Sequence, residues 1–469
     1  MSGRRNPPSA AATSAADGSR IGCRLMRALR RHAPGWLLLL VMAPALAADP
    51  YASNNGLYPL AQWSGPYRTL NFDYPDKLPP NAWRKNAAHA ALTVSSAPAY
   101  VARLKKFVEP AMRGMIETPS AWNPKQPGWY DMPWQAEGNA AGGREAILGS
   151  FAGQVLPPGA FAGLDLPLQN HTVVYYDARA ATVLKRLWAN PFNPDRKRVV
   201  FPEGAMVVKA AAVTATPEQW PALKDAALWH VWRPTVSDTL NAAKNPALAL
   251  TPALLPLRVL QFDIIVKDSV AAPQTGWVFT TFVYKADAPG KGAWDRLVPL
   301  GAQWGNDPQL ALSPSGAARG AETSALRETW INPQAPAFSG ETLGWGGRLS
   351  GPIDVARRHN VIFTDGIARQ EQRSSSCMGC HGTAQYPFIA NLYPSPNRSF
   401  PPDGSPFLLY PPGSRDWARW FQNRPGTVAQ NQNAGTTALD YDMLIMLALS
   451  AFDAAAGGDR YLQQRIRVH

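Results

Sequence analysis

Residues 255–287, LPLRVLQFDIIVKDSVAAPQTGWVFTTFVYKAD, contain two apolar runs separated by a short loop-like stretch. The first run covers residues 255–269 and the second covers residues 275–287. Both runs are rich in β-branched and aromatic residues, which are enriched in strands. We therefore predict two neighbouring β-strands here.

Two stretches upstream extend this pattern. HTVVYYD (171–177) reads as a strand and is followed by a helical segment, ARAATVLKRLW. RVVFPEGAMVVKAAAV (198–213) has two apolar runs interrupted by Pro-Glu-Gly at 202–204, which is typical of a turn between strands. The middle of the chain is therefore predicted to be antiparallel β-sheet.

Helices are predicted on both sides of this region. Residues 97–119 place apolar side chains on one helical face, with Pro110 inside the segment, and LDYDMLIMLALSAF (439–452) repeats apolar residues near helical spacing. The fold class is predicted to be α+β, with helical additions before and after an antiparallel sheet. The predicted division is a signal peptide (1–48), a Trp/Pro-rich helical region (49–170), a β-rich domain that contains the CMGCH stretch (171–390, with an insertion at about 290–350) and a helical extension (391–469).

The N-terminus has the layout of a secretory signal peptide. A basic start is followed by an apolar run from Trp36 to Val41 and by small residues at Ala45 and Ala47. The apolar run is shorter than the ~20 residues that a membrane-spanning helix needs. We predict export to the periplasm with cleavage near Ala47 or Ala48, and a retained anchor is the alternative. A cleaved protein would not be an integral membrane protein.

The charge distribution bears on partners. The formal net charge is +13, but residues 1–47 hold seven arginines and one aspartate, so about +7 remains after cleavage. The remaining Lys and Arg residues form no block, and no nucleic-acid partner is expected. An acidic redox partner protein or an anionic membrane surface is compatible with this balance.

The chain has three cysteines, and two of them fall in CMGCH (377–381). Cys23 lies in the segment predicted to be removed. Cys377, Cys380 and His381 match C-x-x-C-H, the attachment sequence of c-type haem. In such a site the two thiols form thioethers with the haem vinyl groups and the histidine is the proximal iron ligand. The sequence therefore predicts one covalently attached haem c.

Three other interpretations of this motif remain open. A structural zinc site needs four ligands, and the chain has no second C-x-x-C. A thioredoxin-like redox pair would need a βαβ setting. A disulfide across so short a loop would be strained.

The sixth iron ligand is less well determined by sequence. Met443 and Met446 are the only methionines downstream of the motif, and His359 lies upstream of it. Methionines on a helix face commonly belong to the core. An open or water-filled sixth position is the alternative.

Three stretches in order resemble the cytochrome P-460 family and the related β-sheet cytochromes c-prime. They are FPEGAMVVKAA (201–211), QFDIIVKDSVAAPQTGWVFTTF (261–282) and CMGCH (377–381). The resemblance implies an antiparallel sheet that holds one five-coordinate haem. In hydroxylamine-oxidising members a strand lysine is bonded to the haem edge, and Lys209 is the residue here that could correspond. Its alternative interpretation is a solvated lysine at a strand end.

The chain also departs from that family, because 88 residues follow His381 and an insert separates the second stretch from the motif. Three functions are therefore considered. The first is electron transfer by an exported monohaem cytochrome. The second is a haem oxidoreductase or small-ligand binder acting on hydroxylamine, nitric oxide or peroxide. The third is a carbohydrate- or envelope-binding surface built from tryptophans, namely Trp122, Trp129, Trp134, Trp294, Trp304 and Trp330.

Overall fold

The computed structural model describes residues 49–136, 138, 140–197, 199–310, 325–355, 376–387, 415–430 and 435–455. These described residues belong to one compact unit. The predicted signal peptide with Cys23, the candidate ligand His359 and most of the predicted extension after residue 390 lie outside the described residues.

Across the described ranges, nine strands form one antiparallel sheet. The strands are β1 (Trp129–Tyr130), β2 (Phe151–Leu156), β3 (Leu168–Asp177), β4 (Met206–Val213), β5 (Leu228–Arg233), β6 (Ala253–Lys267), β7 (Trp277–Tyr284), β8 (Leu297–Gln303) and β9 (Thr329–Ile331). The order is β1-β3-β4-β6-β7-β8-β9, with β2 paired to β3 and β5 paired to β6. A small second sheet pairs β10 (Gln385–Tyr386) with β11 (Thr437–Ala438).

Eight α-helical segments lie in the same ranges: α1 (Ala97–Glu117), α2 (Ala178–Leu187), α3 (Val236–Lys244), α4 (Ala337–Gly340), α5 (Pro352–Val355), α6 (Cys377–His381), α7 (Arg415–Trp420) and α8 (Met443–Ala455). Helix α1 continues through Pro110. The predicted α+β class, with strands at β3, β4, β6 and β7 and helices at α1, α2 and α8, is confirmed. The described helices include no candidate for a membrane-spanning segment.

The two faces of the sheet carry separate hydrophobic cores because side chains alternate along each strand. On one face, Phe262 and Ile264 of β6 pack with Leu104 and Met112 of α1. On the other face, Ile265 belongs to a second core. That second core also contains Tyr176, Val207, Phe279, Met378, Leu439, Ile445 and Leu449. The face opposite α1 is therefore the one that receives α6 and α8.

The sheet extends beyond the segment predicted to form it. The boundary placed between residues 170 and 171 falls inside β3, and β1 and β2 pair with that strand from the N-terminal side. Strands β8 and β9 lie within the stretch interpreted as an insertion (290–350). Strand β8 pairs with β7, and β9 pairs with β8. The region before residue 171 and the stretch interpreted as an insertion thus both contribute strands to the one sheet.

One strand prediction was wrong. The apolar run before the turn at 202–204 does not form a strand over its described residues 199–201. The backbone N–H of Phe201 instead donates to the carboxylate of Asp440 at 2.7 Å, so it is not available to a β-ladder. Gly204 has φ of 77°, which a residue with a Cβ seldom adopts, and it turns the chain into β4.

Candidate functional site

The CMGCH motif forms the short helix α6, which is attached to the sheet at its first turn. The Ser376 hydroxyl accepts a hydrogen bond from the Gly379 N–H at 2.9 Å, as an N-cap does. The Met378 N–H donates to Oε1 of Gln303 on β8 at 3.0 Å, and the Met378 side chain is buried. Met378 points into the core. Cys377 and Cys380 instead line a cavity beside the sheet.

The cavity has a volume of about 580 Å³, including space open to solvent. It is lined by residues from β4, β6, β7 and the segments around α5 and α6, namely Lys209, Asp263, Ile265, Phe279, Thr280, Thr281, Ser350, Asp354, Ser376, Cys377, Cys380 and His381. The structure therefore brings both cysteines, the histidine and the candidate lysine to one place.

Strand register explains the sheet wall of this cavity. Lys209 pairs with Asp263, and Asp263 pairs with Thr281, so the three lie in one row across β4, β6 and β7. Ile265 and Phe279 form the next row on the same face. The wall thus has one polar row and one apolar row.

His381 is held in a defined orientation. Its Nδ1 lies 2.9 Å from the carbonyl oxygen of Tyr441, just before α8. A carbonyl can only accept, so Nδ1 carries the proton and Nε2 keeps its lone pair. Burial lowers the pKa of His381 to about 4, against a smaller raising effect of the carbonyl bond, and the ring is neutral at physiological pH. The Phe279 ring lies 4.8 Å from the imidazole, centroid to centroid.

The two cysteines are free thiols in this structure, with no disulfide between them. Burial raises the pKa of Cys380 to about 12 and raises that of Cys377 well above its usual value, and the nearby Asp354 carboxylate adds to both effects. A redox-active thiol needs a lowered pKa. The site therefore lacks the electrostatics of a thioredoxin-like pair.

A zinc centre is not formed by the described residues. A structural site has four Cys, His or carboxylate ligands. In the described ranges, no three His, Cys, Asp or Glu side chains are grouped so that they could hold a metal ion. Protein ligands alone thus form no metal centre in this part of the chain.

Lys209 lies in the middle of β4 and is not the solvated strand-end residue considered as the alternative. Its Nζ lies 3.0 Å from Asp263 and 2.5 Å from Asp354. Burial alone would lower the pKa of Lys209, but the two carboxylates outweigh it and the pKa is raised. Gln261 Nε2 donates to both carboxylates, at 2.8 Å and 2.6 Å. In this state Lys209 is a partly buried ammonium ion at the cavity wall.

The candidate methionine ligands lie elsewhere. Met443 Sδ is 3.8 Å from the hydroxyl of Thr383, two residues after His381. Met446 is buried in the core that α8 forms with the sheet. Neither sulfur is among the described groups that line the cavity. The structure does not bring either methionine to the face that Cys377 and Cys380 border.

Sequence reasoning missed several residues of the site. Asp263 had a usable signal, because it is a charge inside the apolar strand sequence VLQFDIIV. Asp354 and the Tyr441 carbonyl had none, since each reaches the site through tertiary packing.

The tryptophan surface considered as a third function is contradicted. Trp129, Trp134, Trp294 and Trp304 are buried, with exposed fractions of 7%, 2%, 1% and 5%. Trp122 and Trp330 are partly buried against the α1-side core. These rings fill the interior and are not available for stacking on a sugar.

Compared with protein-family models, curated proteins and solved structures, the chain matches none of them. The functional conclusion therefore depends on the geometry of the site itself.

Proposed function

We propose that this protein is an exported monohaem c-type cytochrome that takes part in electron transfer in the periplasm. One haem c would be linked through thioethers to Cys377 and Cys380, with His381 as the axial ligand. The observation that carries the proposal is that Cys377, Cys380 and His381 line one cavity, and that His381 has its Nδ1 occupied by the Tyr441 carbonyl. The resemblance to the cytochrome P-460 family is part of the same proposal.

The described residues fit this group. The Nδ1–H of His381 is bonded to a carbonyl, which is the usual outer-shell arrangement of a metal-ligating histidine. Ile265 and Phe279 provide an apolar wall for a flat aromatic ring system. When bound, haem would supply an iron centre that changes oxidation state. The chain's own residues would hold and orient it, and would limit the access of water.

A second candidate function is a haem oxidoreductase or small-ligand binder acting on hydroxylamine, nitric oxide or peroxide. The position of the two methionines favours it, because neither sulfur borders the cavity. The polar row of Lys209 and Asp263, completed by Asp354, also favours it, since these groups can donate and accept hydrogen bonds beside a bound molecule. The cross-link of Lys209 to the haem edge belongs to this candidate.

Expression into the periplasm together with haem maturation proteins tests the main proposal. The expected result is haem that stays with the chain on a denaturing gel and a pyridine haemochrome spectrum of thioether-linked haem. Cys380→Ser should lower the covalent haem content, whereas Cys23→Ser should leave it unchanged. A colourless wild-type protein under these conditions would disprove the proposal.

The spectrum also separates the two candidates. Sharp reduced α and β bands would indicate a six-coordinate electron carrier. A broad, red-shifted Soret band that changes on addition of nitric oxide would indicate an open or cross-linked haem. A redox partner protein is expected in the first case and a small-molecule substrate in the second.

A further inference from the structure

A buried ion pair is formed by Lys267 and Asp440, and Asp440 directly precedes Tyr441, whose carbonyl bonds to His381. Asp440 Oδ1 accepts from Lys267 Nζ at 2.8 Å and from Trp277 Nε1 at 2.7 Å. Its other oxygen accepts from the Phe201 N–H. The Asp440 side chain is fully buried, and Lys267 is 10% exposed. Three separate segments of the chain thus fix one carboxylate.

The backbone at this carboxylate is in an unfavourable conformation. Asp440 and Tyr441 are consecutive non-glycine residues with φ of 47° and 67°. Residues with such backbone angles are strained, and they persist where the surroundings determine them. The Asp440 N–H donates to the Gly426 carbonyl at 3.1 Å, and the Tyr441 hydroxyl donates to the Arg424 carbonyl at 2.8 Å. The turn is therefore held from both its backbone and its side chains.

This turn determines the direction of the Tyr441 carbonyl group. The Tyr441 carbonyl follows directly after Asp440 and accepts the Nδ1–H of His381. A firmly placed acceptor on Nδ1–H raises the basicity of the coordinating nitrogen. A more basic axial ligand favours the oxidised form of iron and lowers its reduction potential.

We propose that Lys267 and Asp440 are positioning residues for His381, which set the reduction potential of the iron through the Tyr441 carbonyl. This inference rests on the proposed function, because it requires haem at the cavity. Neither residue touches the cavity, so their effect passes through the turn. The pair is neutral as a unit, and its removal therefore changes the potential by geometry rather than by net charge.

The test uses the holoprotein with the double substitution Lys267→Met and Asp440→Gly. Glycine accepts the positive φ without strain, so the turn can still form but is no longer held. The expected result is retained covalent haem, a lowered iron–histidine stretching frequency in resonance Raman spectra and a more positive midpoint potential. A tenfold change in the redox equilibrium, equivalent to 59 mV for one electron, is the expected size.

Two further variants at the ion pair and one control variant elsewhere complete the test. Lys267→Met with Asp440→Asn retains an acceptor and should give a smaller shift in the same direction, and Lys267→Arg keeps the ion pair and should stay near the wild type. Asp295→Asn removes one of the three carboxylates that pair with Arg113 and is the control for the loss of an ion pair away from His381.

The outcomes separate the two proposals. A wild-type chain without covalent haem would overturn the proposed function and this inference with it. Covalent haem in all variants, with unchanged potential and unchanged iron–histidine frequency in both double variants, would overturn the inference alone.

Discussion

Lys209 and Asp263 lie directly opposite each other on β4 and β6, with Nζ 3.0 Å from Oδ2, and both face the cavity of the CMGCH helix. Asp354 completes the group from α5. The ammonium group of Lys209 therefore pairs with two carboxylates in a partly buried site. This arrangement makes Lys209 structurally important whatever it does to a bound cofactor.

Lys209→Met should destabilise the protein by about 2 kcal/mol, between the cost for an exposed and for a fully buried ion pair, because it leaves two carboxylates near one another without a cation. The measurement is the free energy of unfolding from urea titration at pH 7.5. Lys185→Met is the matched control, since Lys185 pairs with the exposed Asp76 and an exposed pair contributes less than about 1 kcal/mol. Equal effects of the two substitutions would contradict the buried ion group.

His171→Phe should make the protein more resistant to mild acid. His171 is fully buried on β3, and neither ring nitrogen has a hydrogen-bond partner among the described residues. Burial, with a smaller effect of Arg233, lowers the pKa of His171 to about 3. In the unfolded chain His171 binds a proton near pH 6.5, whereas in the native state it binds one only near pH 3. The free energy of unfolding therefore falls as pH decreases through this window.

The expected loss for wild-type protein is about 2 kcal/mol between pH 8 and pH 5. The substituted protein should lack this component, which a comparison of unfolding free energies at the two pH values would reveal. Parallel curves for the two proteins would show that His171 is solvated or paired.

Asp442→Asn should stabilise the protein at alkaline pH. Asp442 Oδ1 accepts from the Ile445 N–H at the start of α8 and from the Tyr176 hydroxyl. Burial raises the pKa of Asp442 to about 6, so its ionised form costs stability above that pH and the cost disappears as the carboxyl is protonated towards pH 4. Asparagine keeps an acceptor for the helix cap without the charge.

The gain for Asp442→Asn should be about 2 kcal/mol at pH 8 and should shrink towards zero near pH 4. Thermal unfolding at both pH values provides the measurement. Tyr176→Phe serves as the control, because it removes one hydrogen bond but leaves the titrating carboxyl in place. A gain independent of pH would refute the titration.

Gly426→Ala should destabilise the turn that contains Asp440. A Cβ at residue 426 would lie 1.7 Å from Asp440 Oδ1 and 3.0 Å from the Asp440 Cα. Overpacking of this kind costs about 1–3 kcal/mol. Gly340→Ala, where a Cβ would have no atom within 4 Å, is the comparison in the same unfolding assay. No difference between the two variants would mean that the turn moves freely.

Local sequence patterns predicted the long central strands and the motif residues that line the cavity. Apolar runs rich in β-branched and aromatic residues located β6 and β7, and C-x-x-C-H singled out the two cysteines and the histidine that line the cavity. The short strands β1 and β9 escaped prediction, because two or three residues carry no measurable periodicity.

Long-range relationships could not be read from the sequence. The Tyr441 carbonyl is a backbone group 60 residues from His381, and no residue type announces it. Asp354 follows Pro352 in a region without a periodic pattern, yet it reaches Lys209 of β4. Both contacts exist because α5 and α8 pack on the sheet, and that packing is set by the whole core.

The 60-residue separation between His381 and Tyr441 divides the site along the chain. A polypeptide that ends before residue 440 contains every atom needed to form two thioethers, but it lacks the oxygen that fixes the imidazole. In the proposed cytochrome, covalent capture of haem would thus depend on one stretch of polypeptide and the adjustment of its iron on another, and a chain truncated before residue 440 should keep covalent haem but have a poorly defined axial ligand.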